Sequence, residues 1–167
     1  MSKIKLLPFS KITKQNIQQL LKISTDMDTM KYICSGKQIW DEKTILDLMK
    51  YSKDDESNKN NRLYYHYAIM KNKKLVGYIG LHPMFSPYKN DLQIRVFLDP
   101  DERGHNYSVL AIKKLLKMKK KNIIQKQIWC VSKTTNIPSN KMAFKSGGFF
   151  MKTIKIGDEK YNIYSYD

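Results

Sequence analysis

The sequence predicts a mixed α/β fold in a single domain, and three observations carry that expectation. Segments with the two-residue alternation of strands and the 3.6-residue period of helices follow one another in the order β α α β β β α β α β β. A strand–helix–strand crossover sits in the middle, so at least one strand pair is parallel. The chain has 167 residues, 41% hydrophobic and 28% charged, which suits one globular domain over 1–167 with a full core.

The elements follow in order. KIKLLPFS reads as a short strand stopped by Pro8. In TKQNIQQLLKI, Ile17, Leu20 and Leu21 share a helical face, and Thr13 is the N-cap. DEKTILDLMKY is a second helix: Ile45, Leu48 and Met49 recur at i, i+3 and i+4, with Asp41 and Glu42 at its positive end. SKDDESNKNNR is polar throughout and reads as an exposed loop. LYYHYAIM and LVGYIGLH form a hairpin about KNKK, and Pro83 and Pro87 punctuate the loop after it. DLQIRVFLD is a strand ended by Pro100, PDERGHNYS a loop, and YSVLAIKKLLKMKKK a helix whose apolar face is Tyr107, Leu110, Ala111, Leu115 and Met118. QIWCVS is a strand. TTNIPSNKMAFKSGG is a short helix with Pro138 near its start and glycines at its end. FFMKTIKI and KYNIYSYD close the chain as a hairpin about Gly157 and Asp158.

Composition bounds the function. Thirty-one Lys and Arg face 15 Asp and Glu, a net charge of +16. That favours polyanionic or phosphate-rich partners and disfavours polycationic ones. Cys34 and Cys130 alone build neither a disulfide framework nor a four-ligand zinc site, and no metal is expected. With no apolar run of about 18 residues and too short an apolar start for a signal peptide, the expectation is a cytoplasmic protein without a membrane partner.

The segment FLDPDERGHNYSVLAIKKLL places a glycine-containing loop between a strand and a helix start. Amides at a helix N-terminus lack intrahelical partners, and the dipole is positive there, so the geometry suits an anion. Arg103 and His105 add charge-assisted donors; a plain strand-to-helix turn is the alternative. After the next strand, Asn136 and Ser139 open a helix, where Asn136 either caps or grips an amide of an extended ligand.

In joint order and spacing these segments resemble the GNAT family of N-acetyltransferases, and the branch that holds the ribosomal-protein alanine N-acetyltransferases in particular. MKYICSGKQIWDEKTI is similar to that branch's early helical region, AIMKNKKLVGYIGLH to its second and third strands, and IGDEKYNIYSYD to its terminal hairpin. LDPDERGHNYSVLA resembles the acetyl-CoA motif Arg/Gln-x-x-Gly-x-Gly/Ala, and NIPSNKMAFKSGGFF the Asn-x-x-Ser helix.

The resemblance implies a mostly antiparallel sheet of six or seven strands with helices on both faces and one central parallel pair splayed for acetyl-CoA. It implies an acyltransferase that moves acetyl from acetyl-CoA to a primary amine, on a protein N-terminus or a small amino compound, by direct attack in a ternary complex. Arg103 takes the Arg/Gln place, Asn106 that of the first glycine and Ser108 that of the second. The amides of Arg103, Gly104, His105, Asn106, Tyr107 and Ser108 would hold the CoA pyrophosphate. The backbone at Phe97 and Leu98 would pair with the pantetheine arm, as would Asn136, with Ser139 in the same turn.

Departures from the family pattern bear on catalysis. Asn106 replaces a glycine, although Asn tolerates positive φ better than most residues. Gln93 stands where many relatives have a carboxylate, so that base is absent. Phe144 lies where many place a Tyr. The remaining candidates for a base are His82, expected to titrate near neutrality, and Asp91 or Asp99. His66 reads as packing and Cys130 as a small buried hydrophobe. Tyr161, Tyr164 and Tyr166 are read as sharing one face of the last strand, with Tyr161 a catalytic candidate. Two other readings stay open: a degenerate module that binds CoA or an anionic partner without turnover, and a basic nucleic-acid-binding protein. The lysines of AIKKLLKMKKKNIIQK suit a solvated helix face, with weak electrostatic nucleic-acid binding at most. A monomer or homodimer is expected.

Overall fold

The computed structural model describes residues 3–33, 40–57, 62–85, 88, 90–121 and 123–166. Its elements are β1 (Ile4–Pro8), α1 (Lys14–Ser24), α2 (Met27–Met30), α3 (Glu42–Ser57), β2 (Tyr65–Lys71), β3 (Lys74–Pro83), β4 (Leu92–Leu98), α4 (Tyr107–Lys120), β5 (Ile128–Lys133), α5 (Ile137–Lys145), β6 (Phe149–Ile156) and β7 (Glu159–Tyr166). Seven strands form one sheet in the order β1-β2-β3-β4-β5-β7-β6. Every neighbouring pair is antiparallel except β4 and β5, the pair that the crossover through α4 makes parallel. The GNAT-like mixed α/β architecture expected from the sequence is the one observed.

Helices cover both faces. Ile17, Leu20 and Ile23 of α1 and Ile45 of α3 pack with Phe9 and Trp40 on Ala68, Met70, Leu75, Tyr78 and Phe97. On the opposite face, Tyr107, Ala111, Ile112 and Leu115 of α4 and Ala143 of α5 pack on Tyr65, Tyr67, Ile69, Val76, Ile79, Ile94 and Ile128. Leu75 and Tyr78 share a face because Val76 is an extra residue in β3: Ile69 pairs with Gly77 and Met70 with Leu75. This bulge turns Tyr78 into the aromatic cluster of Phe9, Trp40 and Phe97.

Two elements depart from the sequence expectation. The polar stretch expected as a loop from Ser52 is helical to Ser57; Asn58 to Asn61 lie outside the described residues, as do Cys34 and Pro87. Two acids of this last turn have partners beyond the helix. Asp55 accepts from Arg62 Nε and from the amides of Leu63 and Tyr64, and Glu56 accepts from Ser10 Oγ at 2.7 Å. Composition does not reveal such long-range partners. The short α2 was not expected either; it starts at Asp26, whose Oδ1 accepts from the amide and hydroxyl of Thr29. Thr13 caps α1 as expected, in a reciprocal box with Asn16.

Candidate active site

The parallel pair opens as it runs. β4 and β5 pair only at Leu92–Ile128 and Gln93–Trp129. Beyond that point β4 stays registered on β3 as far as Leu98–Gly77, and β5 stays on β7 as far as Lys133–Tyr161. Each strand follows its antiparallel partner, and the two edges part. A cleft of about 920 Å³ fills the gap, bounded by the starts of α4 and α5, by β4 and β5, and by α2 and the residues just after it.

One end of the cleft suits an anion. Asp99 caps a 3-10 turn at Pro100–Glu102. Glu102, almost fully buried, accepts from Lys71 Nζ at 3.1 Å and Lys74 Nζ at 3.0 Å, pinning the loop to the β2–β3 turn. These bonds, that from Lys74 foremost, hold its carboxyl below the ordinary carboxylate range. The chain then passes through Gly104 at φ +81° and Asn106 at φ +58°. Asn106 adopts the left-handed conformation that the family glycine would supply. The Asn106 side chain does not cap α4, so the first amides of this helix lack that acceptor. A Cβ at Gly104 would meet nothing within 4 Å, which leaves room for a phosphate against the backbone. The residues present therefore fit the pyrophosphate of CoA.

Arg103 lines the cleft, and its guanidinium is already engaged. Nη2 donates to Thr29 Oγ1 at 2.8 Å, and that hydroxyl donates to Asp26. Arg103 thus ties the loop to α2. The Thr29 bonds, side chain first, together with Arg103 hold the Asp26 carboxyl low.

The start of α5 forms the facing wall. Asn136 Oδ1 accepts from the Ser139 amide at 3.3 Å, and both residues line the cleft; the Asn caps and faces the ligand space together. Asn140 holds this turn in place. Its Nδ2 donates to the carbonyls of Lys133 at 2.9 Å and Asn136 at 2.8 Å, while Oδ1 accepts from Asn162 Nδ2 and the Tyr164 hydroxyl at 2.9 and 2.8 Å. All of its usual capacity is used on β5, α5 and β7.

Of the residues singled out from the sequence, Phe97, Leu98, Arg103, Gly104, Asn106, Ser108, Asn136, Ser139 and Tyr161 line the cleft, and Gln93 does so at its closed end. Tyr107 belongs to the core, and its ring stacks on His105 with centroids 5.4 Å apart; neither side chain lines the cleft. His82 and Asp91 are also off the lining. Asp91 accepts from Trp129 Nε1 at 2.8 Å. His82 Nε2 meets the Tyr78 hydroxyl at 2.9 Å, and that hydroxyl meets His66 Nδ1 at 2.7 Å. Burial, then Arg95 and His66, bring His82 down to about 2, which corrects the expected titration near neutrality. Burial, with Arg62 and Arg95, lowers His66 to about 4.

The tyrosines of β7 do not share a face. Tyr164 reaches Asn140, and Tyr166 meets Ser146 at 2.8 Å, both on the α5 side. Tyr161 is at odd spacing from them and lies on the other face. Cys130 is buried as expected, and burial raises its thiol to about 12. Phe144 is 75% exposed on the outer side of α5. Two residues that matter here carry no signal in the sequence: Asn140, whose role needs three elements to converge, and Arg95, which lines the cleft from β4 as one residue in an alternating strand.

A family model described as an acetyltransferase (GNAT) domain matches residues 7–148, and the chain belongs to this family. No curated protein matches it in sequence. Solved structures share its fold at low identity. A GNAT acetyltransferase from Bacillus anthracis has TM-score 0.66 at 21% identity over 98% of this chain and 91% of its own. An acetyltransferase from Salmonella typhimurium that modifies the N-terminal serine of a 50S ribosomal subunit protein has TM-score 0.73 at 12% identity over 99% and 95%. Spermidine N-acetyltransferase from Vibrio cholerae, in complex with CoA and spermine, has TM-score 0.73 at 12% identity over 99% and 96%. Among the described residues no group of His, Cys, Asp and Glu is arranged to hold a metal, and no helix is long and apolar enough to cross a membrane.

Proposed function

We propose that this chain transfers an acetyl group from acetyl-CoA to a primary amine, on a protein N-terminus or a small amino compound, by direct attack in a ternary complex. The observation that carries the reading is the gap between β4 and β5, which runs into the uncapped N-terminus of α4. Acetyl-CoA supplies the activated acetyl group. The amides of 103–108 bind its phosphates, and Arg103 holds their loop rigid through Thr29. The free edge of β4 at Phe97 and Leu98 and the turn at Asn136 orient the pantetheine arm as an added strand would. This fixes the thioester and lowers the entropic part of the barrier.

The proton inventory is sparse. Gln93 neither takes nor gives a proton near neutrality. Asp28, exposed and 3.5 Å from Lys31, is the carboxylate among the lining residues. The acceptor therefore reacts as the fraction already neutral, losing its proton to water in the open cleft. Tyr161, which lines the cleft, is the residue we assign to protonate the departing thiolate; His82 and Asp91 are assigned no direct part.

Gln93 also favours a second reading, a CoA-binding module without turnover. Thiol release from acetyl-CoA, followed with a panel of peptide and small-molecule amines, separates the two. Acceptor-dependent release with a mass gain of one acetyl group supports transfer. Binding without release across the panel supports the module.

A further inference from the structure

Arg95 sits in the middle of β4, opposite Gly80 of β3. It is partly buried and lines the cleft. Phe97, two residues on, packs on the α1–α3 face of the sheet, and strand alternation puts Arg95 on that face too. Its field reaches both His66 and His82 there. Yet among the described residues its guanidinium has no hydrogen bond or ion pair, whereas Arg62 and Arg103 are both engaged. Its donors face the cleft, so they are free to take a ligand there.

The place of Arg95 argues against the CoA phosphates as that ligand. From Arg95 to the end of β4 at Leu98 is about 10 Å of strand, and the anion-binding loop begins beyond that. Arg95 lies toward the closed end, near Gln93, where the thioester would be met by the acceptor. An acceptor held there meets a planar cation with up to five donors, suited to two-oxygen contact with a carboxylate or phosphate. An acceptor that is only an amine or a polyamine meets like charge.

We propose that Arg95 is a specificity-determining residue that selects acceptor amines carrying a carboxylate or phosphate close to the amine, and that disfavours polyamines. The inference rests on the acetyl-transfer reading and deepens it.

Matched acceptors provide the test: phosphoethanolamine against ethanolamine for phosphate, Ala-Asp against Ala-Asn for carboxylate, and spermidine as the polycation. The wild type is expected to prefer the anionic member of at least one pair in kcat/KM, and the pair that shows it identifies the anion. Spermidine ranks last. In Arg95→Gln the ratio of anionic to neutral kcat/KM falls roughly 10- to 100-fold, the range for losing a charge-assisted contact, chiefly through KM. Arg95→Lys restores part of it. Calorimetry of the CoA-loaded protein with phosphoethanolamine and Ala-Asp reads the same contact without turnover. CoA binding by each variant shows that it has folded. No preference in the wild type, or equal loss for both members of a pair in Arg95→Gln, overturns the assignment. If no acceptor is turned over but Arg95-dependent binding of an anionic probe persists, the acetyl-transfer reading fails and the Arg95 site stands.

Discussion

Replacing Asn140 by Ala removes four hydrogen bonds of 2.8–2.9 Å that join the end of β5, the first turn of α5 and β7. Each such bond contributes a net of about 1 kcal/mol, so the ceiling is roughly 4 kcal/mol. The side chain is only partly buried, so water repairs part of the loss, and the expected cost is about 2–3 kcal/mol. For a chain of this length that lowers Tm by roughly 4–12 °C. Asn140→Asp separates donor from acceptor. It keeps an oxygen for Asn162 and Tyr164, but it sets a carboxylate oxygen against the carbonyls of Lys133 and Asn136. Asp is therefore expected to cost more than Ala near neutral pH. Urea denaturation gives both values, and a double-mutant cycle with Tyr164→Phe should show a coupling of about 1 kcal/mol. Both variants should also weaken CoA binding, because the turn with Asn136 and Ser139 loses its anchor. An Ala variant within about 0.5 kcal/mol of wild type, the range of ordinary surface changes, would refute the hub role of Asn140.

Two further outcomes follow from the same geometry. His66 and His82 are held at about 4 and about 2, mainly by burial, below their unfolded value near 6.5. The unfolded chain thus binds protons that the folded chain excludes, and stability is full above about pH 6.5 and falls as pH drops toward 4. Urea midpoints from pH 7 to 5 should fall by the equivalent of about 2–4 kcal/mol, and a flat profile would contradict the packing of this pair. At Asn106, φ +58°, Gly should keep CoA affinity within about threefold, since it enters the left-handed region freely, whereas Val should weaken binding and cost about 1–2 kcal/mol. Calorimetry and thermal melting measure both, and an Asn106→Gly variant that folds without binding CoA would assign the amide side chain a direct contact.

What the sequence made legible was local. The Thr13 cap, the glycines that end α5, the Asn106 turn and the crossover each depend on residues a few positions apart, and the structure has them all. What stayed hidden depends on distant partners or on register. The last turn of α3 is polar because Arg62 and Ser10 meet its acids. Tyr161 stands near Tyr164 and Tyr166 in sequence, but odd spacing puts it on the opposite face. The bulge at Val76, which carries Tyr78 onto the α1–α3 face, leaves no mark in the strand pattern. His82 looks titratable in a string of letters, and only its burial, with the charges of Arg95 and His66 added, brings it down. Asn140 and Arg95 are ordinary residues until the sheet order places them beside the cleft.

Whether the gap between β4 and β5 receives acetyl-CoA is decided most directly by a crystal structure of the protein with acetyl-CoA. The predicted result is the pyrophosphate on the amides of 103–108 and the pantetheine arm between Phe97–Leu98 and Asn136, with the thioester toward Gln93 and Arg95. Acetyl-CoA bound elsewhere on the chain, with the gap left free, would contradict the account.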